Sequence, residues 1–550
     1  MGARVLFIAG HSGPSIFPDE IGYWGNARSL AGAAALPNMF GHPYYHFGYS
    51  LLIAPLFALP VEPRALYRLV LFENCLLLSS VFFPLYLLLR RAFGEGRRVA
   101  AIIALATTSY PAFALNPAIA WSENAFIPLF AWTLLAFLAL VERPTCARGL
   151  LVAACVVSLY AVHPRGVGML PVTTLMLLAM MVSRRLAVRD GLLAIALLAV
   201  GIFLVKKMDA HLLQQGYNAV TVTSGGAAQQ LKTKLGIAAI ATFLGHLTYV
   251  GMGTFGLAIA GSLALLRVWL LNLARLRHFF ENPQAALSMY ALLCAGGIAA
   301  VAATFLALGL RADHALYGRY NEGWIAFFIA VGLLQLVRWQ RGDAPAGWAI
   351  LGGACLTATL TCITWLIEHE RRLPLASSDV HWLGVVAFWQ LFGRPQFLWI
   401  GLGCACVGLL AGCLARRWPL VAVGGVGIIF LGEAMVAREA IHPAHYKEDA
   451  EPGWATHLRS HPEVKEISFD TSEGNTRPIL TTQFLFPHLR VHSYNSRFGQ
   501  TPPTALFVAS ERGGRRLELE CEVVASGPAG QALYSIDHSP SAPSNSANER

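Results

Sequence analysis

Long apolar runs separated by short polar turns fill the chain from about residue 47 to about residue 436. A helix needs about 20 consecutive apolar residues to cross a bilayer. At that length the pattern predicts twelve membrane spans, near residues 66–89, 99–115, 121–140, 149–163, 166–182, 191–205, 250–270, 286–309, 323–337, 347–367, 397–414 and 418–436. The shorter apolar stretch 47–60 contains Pro55 and Pro60 and indicates a re-entrant or interfacial segment. Residues 235–249 are expected at the membrane surface.

The composition agrees with a polytopic membrane protein. Hydrophobic residues make up 55% of the 550 residues and charged residues only 13%, and the mean hydropathy is +0.53. A soluble protein needs roughly twice that share of charge to cover its surface. The net charge of +10 comes mostly from arginines in the turns, so it does not indicate nucleic acid binding. The 10 cysteines form no CxxC pair, and neither a disulfide framework nor a thiolate metal site is predicted.

Arginines mark one side of the predicted bundle. They occur in alternate turns, at 90–98, 143–148, 184–189, 275–277, 338–341 and 416–417. The positive-inside rule places these turns in the cytoplasm. The loops at the other ends of the helices, which are longer and contain more of the candidate functional residues, and the C-terminal segment are therefore predicted outside the cytoplasm. Asp19 then lies outside although fewer than 20 residues precede it. Either the chain starts outside, or a first span lies upstream of this start; the second alternative is favoured.

The pattern changes after residue 437. Short β-like runs alternate with turn residues, at 467–469, 479–486, 489–494, 505–509 and 517–524. They predict a small soluble α/β domain at 437–536, followed by a disordered Ser-, Pro-, Asn- and Ala-rich tail at 537–550. The rest of the chain is predicted to form two further parts. Residues 1–65 form an external segment with interfacial helices, and residues 66–436 form an α-helical membrane bundle.

Asp19 and Glu20 form an adjacent carboxylate pair in the predicted external segment. Taken alone, such a pair is a solvated turn. Here a stretch with apolar residues at helical spacing, 21–36, follows the pair, and an aromatic and proline-rich segment, 42–49, leads back to the membrane. This order of parts resembles the first external loop of the GT-C glycosyltransferases. These integral membrane enzymes take sugars from polyprenyl-phosphate carriers, and they include protein mannosyltransferases, lipid A aminoarabinose transferases and mycobacterial arabinosyltransferases.

The resemblance covers residues 15–200, and residues 200–436 by hydropathy alone. It extends to Trp121-Ser-Glu-Asn124, which opens the third clear span. It implies a GT-C helical bundle, a polyprenyl-phosphate sugar as donor, and a second acidic residue, Glu123, facing the same cavity as the first pair. The absence of a preceding membrane span departs from the family pattern.

The carboxylates suit the chemistry of sugar transfer. A sugar hydroxyl is a poor nucleophile, and a carboxylate within hydrogen-bond reach can take its proton as the oxygen attacks the anomeric carbon. Asp19 is predicted to be that base. Glu20 is expected to orient it, hold the acceptor or bind a divalent cation such as Mg²⁺ or Mn²⁺. Glu123 is a second acidic or metal-binding candidate, with a plain helix N-terminal charge as the alternative. The sequence leaves the metal requirement open.

A lipid phosphate leaving group requires cationic donors near the outer membrane surface. His163 and Arg165 lie at the outer end of a predicted span. An arginine at membrane depth costs at least ~2.5 kcal/mol, which argues for a partner or a ligand; the alternative is snorkelling to the interface. Tyr45 and His46, in the aromatic segment, are predicted to line the route of the sugar or acceptor, or else to be interfacial residues.

Two further cationic positions are candidates for the donor phosphate. Arg319 begins a span beside Tyr317 and Tyr320, whose rings can stack on a sugar, and Glu322 follows it. The rival interpretation is a structural Arg319–Glu322 pair. Lys206 ends a span on the same side, where it can also mark the membrane interface.

The sequence therefore predicts an inverting glycosyltransferase on the outer face of a bacterial cytoplasmic membrane, with membrane lipids around it and a glycan, lipid or protein as acceptor. The C-terminal domain is expected to help bind that acceptor. A secondary transporter or lipid flippase is the main alternative, and a scaffold with a sensory external domain is a third. The sequence contains no Walker A loop, GxSxG elbow or HExxH motif, which argues against ATP-driven transport and the corresponding hydrolases.

Overall fold

The structure is a computed structural model that describes residues 1–11, 13–14, 19–32, 45–216, 236–273, 276–307, 314, 316–371, 379–393, 396–446, 453–472, 477–510, 521–526 and 531–536. α-Helices fill the described part up to residue 446, and a mixed α/β domain follows. The predicted tail 537–550 lies outside the described residues. This arrangement confirms the predicted fold class, a helical membrane bundle with a small C-terminal α/β domain.

Three short helices precede the membrane helices. They are α1 (Gly2–Ile8), α2 (Asp19–Leu30) and α3 (Phe47–Ile53). The bundle then consists of α4 (Pro63–Ser79), α5 (Phe82–Arg91), α6 (Arg97–Thr108), α7 (Pro111–Leu115), α8 (Glu123–Glu142), α9 (Cys146–Val162), α10 (Met169–Val182), α11 (Val188–Gly216), α12 (Ile237–Gly253), α13 (Leu257–Leu273), α14 (Pro283–Leu306), α15 (Arg319–Gln340), α16 (Ala344–Arg371), α17 (Val386–Phe392), α18 (Phe397–Ala415) and α19 (Pro419–Tyr446).

The described residues contain nine helical segments that are long and apolar enough to cross a membrane, or eleven if each of two bent pairs is one span. Twelve spans were predicted. The one at 149–163 lies on α9, which is shorter, with 17 residues. The span predicted at 250–270 has the wrong boundaries, because α12 and α13 together cover 237–273 with a bend of 111° between them.

Both bends have a local backbone cause. Between α12 and α13, Phe255 and Gly256 have φ angles of 54° and 76°, in the left-handed region that ends a helix. Between α6 and α7, which differ in direction by 73°, Pro111 begins the second helix and cannot continue the hydrogen-bond ladder of the first. Hydropathy alone does not detect such breaks, because the residues around them are apolar.

α15 lies at the centre of the bundle. In its most apolar stretch, 94% of the residues are buried within the protein. The same share is 83% for α8 and only 28% for α11, which lies at the periphery. Glycines bring α13 and α15 together: a methyl group on Gly261 would lie 2.1 Å from the carbonyl oxygen of Phe328, and one on Gly332 would lie 2.0 Å from that of Leu257. Small residues allow such close approach of membrane helices. This packing fixes the N-terminus of α15, where Arg319 lies.

The C-terminal domain is a five-stranded sheet with two helices, α20 (Gly453–Ser460) and α21 (Arg477–Leu485). The strand order is β2 (Arg490–Tyr494), β1 (Glu466–Asp470), β3 (Leu506–Ser510), β5 (Gln531–Ile536) and β4 (Cys521–Ser526). β1 is parallel to β2 and β3, whereas β5 is antiparallel to β3 and β4. The strand predicted at 479–486 is wrong: most of this run is in α21, because two adjacent parallel strands need a crossover connection.

Candidate active site

Asp19 is the first residue of α2 and meets two partners from distant parts of the chain. Its Oδ2 atom accepts from Nη1 of Arg319 at 2.5 Å, and its Oδ1 atom accepts from the hydroxyl of Tyr45 at 2.6 Å. Burial alone would raise the pKa of Asp19, but the charge of Arg319 and these hydrogen bonds hold it below its usual value. Asp19 is therefore a carboxylate at neutral pH.

Tyr45 approaches Asp19 because α2 has no side chain in its path. A Cβ atom on Gly22 would lie 2.2 Å from Cδ2 of Tyr45. The backbone carbonyl of Tyr45 also accepts from Nδ2 of Asn26 at 2.8 Å, and its ring lies 5.0 Å from that of Tyr23. Burial and the neighbouring Asp19 raise the pKa of the Tyr45 hydroxyl, so it stays a hydrogen-bond donor.

Glu123 is the first residue of α8 and is fully buried. Its carboxylate accepts from Nε and Nη2 of Arg319 at 2.9 and 3.2 Å, and from Nη1 of Arg165 at 3.2 Å. Two carboxylates and two guanidiniums thus form one connected network, which consists of Asp19, Glu123, Arg165 and Arg319. A buried charge is costly unless it is paired and hydrogen-bonded, and here each is.

Arg165 retains unused donors within this network. It lies in the short turn Pro164–Gly168, where Nδ1 of His163 accepts from its backbone nitrogen at 3.2 Å. Its guanidinium lies over the ring of Phe126, 4.2 Å from the centroid, and the side chain is only 2% exposed. Within the described residues, its Nε and Nη2 atoms have no hydrogen-bond partner. A buried arginine with free donors is not snorkelling, and it can accept an anion.

Arg319, by contrast, uses all three of its nitrogens on Asp19 and Glu123. Its guanidinium also lies 4.0 Å from the ring centroid of Trp121. The rival Arg319–Glu322 pair does not form. Glu322 instead accepts from the hydroxyl of Tyr249 at 2.7 Å and from Nδ2 of Asn116 at 3.2 Å.

Aromatic rings surround the two arginines. Tyr317 lies 4.7 Å from Tyr320 and stacks on His381 at 4.6 Å, with 27° between the ring planes. Tyr320 lies 5.2 Å from both the Arg165 guanidinium and the ring of His163. These flat surfaces beside a buried charge network are suited to a sugar or a lipid head group.

Glu20 has partners different from those of Asp19. Its Oε1 atom accepts from the hydroxyl of Tyr67 and from the backbone nitrogen of Ala120, each at 2.6 Å. The carboxylate of Glu20 therefore joins α2 to the segment that precedes Glu123. The geometry favours the orienting role among those predicted for Glu20.

The remaining candidates lie at the edge of this region. Nδ1 of His46 lies 3.3 Å from Oδ2 of Asp209, which links the start of α3 to α11. Lys206 is exposed on α11 and makes none of the network contacts within the described residues. The structure thus joins Asp19, Glu123, Arg165 and Arg319 directly, with the predicted aromatic residues around them.

Sequence reasoning missed several contributors. Trp121, Phe126 and His381 are ring partners of the network, and Tyr67 and Tyr249 are donors to its flanking carboxylates. Trp121 lies only two residues before Glu123, and this proximity could have indicated that its ring lies near the charged residues. The tyrosines lie within apolar helices, where the sequence does not distinguish a buried donor from a packing residue.

The described residues contain no group of three or more His, Cys, Asp or Glu side chains arranged to hold a metal ion. The guanidinium of Arg319 lies between Asp19 and Glu123, in the position that a cation bridging the two carboxylates would need. As arranged, these residues do not fit a metal ion that bridges the two carboxylates.

No protein-family model matches the chain, and no curated protein does. Solved structures do match. The crystal structure of ArnT from Cupriavidus metallidurans bound to undecaprenyl phosphate is 15% identical, with a TM-score of 0.54, over 98% of this chain and 97% of that chain. The apo structure of the same protein is 14% identical, with a TM-score of 0.53, over 97% and 96% of the two chains.

The similarity extends over almost the full length of both chains, so it includes the helical bundle and the C-terminal domain together. At this identity it establishes the fold and not the reaction. The chain therefore shares the fold of ArnT, which confirms the fold class that the resemblance implied.

Proposed function

We propose that this protein is an inverting glycosyltransferase that moves a sugar from a polyprenyl-phosphate carrier to a cell-envelope acceptor on the outer face of a bacterial cytoplasmic membrane. One observation carries the proposal: an ionised carboxylate, Asp19, and a buried guanidinium with unused donors, Arg165, belong to one charge network. The ArnT structure of the same fold, which binds undecaprenyl phosphate, supports a lipid carrier.

Asp19 is the proposed general base. The acceptor hydroxyl transfers its proton to the Asp19 carboxylate while its oxygen attacks the anomeric carbon from the side opposite the phosphate. The bond between that carbon and the phosphate oxygen breaks, and the phosphate oxygen keeps the electron pair. Each carboxylate oxygen of Asp19 has a lone pair beyond those used by Arg319 and Tyr45, so a hydroxyl can bind without breaking either contact.

Arg165 is the proposed binding residue for the donor phosphate. The Nε and Nη2 atoms, which have no hydrogen-bond partner among the described residues, form one edge of the guanidinium, and this edge matches two phosphate oxygens. As the phosphate leaves, its negative charge increases, and donors already fixed by Glu123 and Phe126 stabilise it without reorganising. Arg319 is neutralised by its two carboxylates, so its proposed role is to orient Asp19 and Glu123.

The outer-face location rests on charge asymmetry. The arginine-rich turns lie at the opposite ends of the helices from Asp19, Glu123 and Arg319, and the positive-inside rule places such turns in the cytoplasm. The C-terminal domain follows α19 on the same side as the charge network, and we propose that it contributes to binding the acceptor. A glycan, lipid or protein acceptor fits this arrangement.

The test uses purified full-length protein with a panel of polyprenyl-phosphate sugars and measures release of the polyprenyl phosphate. Asp19→Asn preserves shape and removes the base, and we expect it to lower the rate by roughly 10²- to 10⁴-fold. Asp190→Asn, outside the network, is the matched control and is expected to keep full activity. Undiminished transfer by Asp19→Asn would refute the assignment. Movement of lipid or sugar across sealed liposomes without covalent transfer would instead favour the transporter alternative.

A further inference from the structure

The C-terminal domain reaches into the helical bundle through α21. Leu480 and Phe484, one helical turn apart, are 1% and 3% exposed and belong to the same apolar core as the membrane helices. Ile479 on the same helix packs instead in the core beneath the sheet. α21 is therefore shared between the two parts of the protein.

Phe484 meets two aromatic residues of the bundle. Its ring lies 5.2 Å from that of Trp24 on α2 and 5.9 Å from that of Tyr67 on α4. The rings of Trp24 and Tyr67 are themselves 6.1 Å apart. Each ring thus contacts the other two, and Phe484 is the member supplied by the C-terminal domain.

This ring cluster is connected to the first turn of α2 by a hydrogen bond. The hydroxyl of Tyr67 donates to Oε1 of Glu20 at 2.6 Å, and the backbone nitrogen of Ala120 donates to the same atom. Glu20 is 1% exposed and follows Asp19 directly. The hydrogen bond from Tyr67 therefore helps to fix the backbone at Asp19. Phe484 packs against Tyr67 and against Trp24, which lies on α2 itself.

We propose that Phe484 is a positioning residue through which the C-terminal domain fixes the Asp19 carboxylate, an inference that rests on the proposed function. Removal of its ring leaves space beside Trp24 and Tyr67, and the first turn of α2 then samples positions away from the acceptor. Phe484 acts through Tyr67 and Glu20, because its ring lies against Trp24 and Tyr67. The domain that is proposed to bind the acceptor thus also supplies a side chain that helps to align the base.

Kinetics of Phe484→Ala give the first test. Misplacement of a catalytic group by about 1 Å costs up to roughly 10²-fold in rate, so we expect kcat to fall by roughly ten- to a hundredfold while KM for the donor changes by less than about threefold. Leu480→Ala, which removes apolar volume from the same core but no ring, is the matched control, and we expect a smaller fall in kcat. An equal fall for both variants, or a change only in KM, would overturn the proposal.

Tyr67→Phe gives a second test that does not disturb packing. It keeps all three rings and removes the hydroxyl that donates to Glu20. We expect it to lower kcat, together with a modest fall in melting temperature because a buried acceptor loses a donor. A melting temperature that falls while kcat is unchanged would mean that Tyr67 is purely structural, and would overturn the proposed connection.

Hydrogen–deuterium exchange of the full-length protein separates this inference from the proposed function. We expect faster exchange of residues 19–30 in Phe484→Ala than in Leu480→Ala, whatever reaction the protein catalyses. Unchanged exchange there would refute the positioning role even if Asp19→Asn is inactive. Faster exchange together with full activity of Asp19→Asn would support the positioning of α2 and refute only the proposed chemistry.

Discussion

Nη1 of Arg319 lies 2.5 Å from Oδ2 of Asp19, although 300 residues separate them in the chain. The same guanidinium makes two hydrogen bonds with Glu123, so the starts of α2, α8 and α15 meet at one cation. The contact keeps the Asp19 carboxylate ionised and limits its orientation. These are two properties that a general base requires.

The lowered pKa of Asp19 predicts the pH dependence of the reaction. The proposed base is active when ionised, so we expect activity to fall only as the pH drops through a value below the ordinary ~3.9 of aspartate. Tyr45→Phe removes one hydrogen bond to the carboxylate, raises its pKa, and is expected to move the acidic limb of the kcat/KM profile to higher pH by up to about one unit. The stability that Asp19 contributes follows the same sign: it is present above the unfolded pKa and is lost as the pH falls through the folded pKa.

The control for this profile is Tyr86→Phe, which removes a hydroxyl from a tyrosine stacked on Phe82, outside the network. Its acidic limb should coincide with that of the unmodified protein. An acidic limb that stays in place in Tyr45→Phe would show that the Asp19 carboxylate does not govern activity.

Replacement of Arg165 tests the phosphate site. Arg165→Lys keeps the charge but loses the planar pair of free N–H groups, and we expect KM for the lipid donor to rise by roughly tenfold or more. Glu123 keeps its two hydrogen bonds to Arg319, so folding should be preserved. The measurement is KM for donor and acceptor separately. An increase confined to the acceptor would contradict phosphate binding by Arg165.

Gly22 tests the approach of Tyr45 to Asp19. Gly22→Ala places a methyl group 2.2 Å from Cδ2 of Tyr45, and the ring must move away from its hydrogen bond. We expect reduced transfer even though alanine favours helices by up to about 1 kcal/mol. Gly424→Ala is the matched control, since a Cβ atom at that helical glycine meets no atom within 4 Å. Equal activity of the two variants would exclude the steric argument.

Glu95 is predicted to stabilise the opposite end of the bundle. It is 3% exposed and accepts from Nη1 of Arg341 at 3.0 Å and from Nε of Arg338 at 3.4 Å. Glu95→Gln removes the charge that both arginines face, and we expect a loss of about 1–3 kcal/mol in the free energy of unfolding, with KM unchanged. We expect the loss in unfolding free energy toward the lower end of this range, because the Arg341 side chain is half exposed and solvent screens its charge.

Glu142→Gln is the matched control for this prediction. Glu142 pairs with Arg91, and both side chains are more exposed to solvent, at 28% and 36%. An exposed pair contributes about 0–1 kcal/mol, so the melting temperature should change little. Chemical or thermal unfolding of both variants in the same detergent measures the difference. Equal destabilisation would mean that burial does not set the contribution of Glu95.

Some of the candidate site could be predicted and some could not. Asp19, Glu123, Arg165 and Arg319 were each identified in the sequence. Asp19 belongs to an adjacent carboxylate pair, Glu123 was implied by the resemblance to the GT-C glycosyltransferases, and the arginines stood out as charges beside membrane spans. Their mutual contacts were not predictable. Local spacing suggested Glu322 as the partner of Arg319, whereas the structure pairs Arg319 with a carboxylate 196 residues away.

The long apolar runs by themselves determined most of the membrane helices, since a bilayer-spanning helix requires such a run whatever its neighbours are. The GT-C fold class, by contrast, was predicted from the resemblance carried by the Asp19-Glu20 pair and the segments that follow it. Only the tertiary structure decided where α12 and α13 bend, that residues 477–485 form a helix, and which guanidinium pairs with which carboxylate. These outcomes depend on backbone conformation and on how closely the helices approach, as at Gly261 and Gly332, and a hydropathy pattern contains neither.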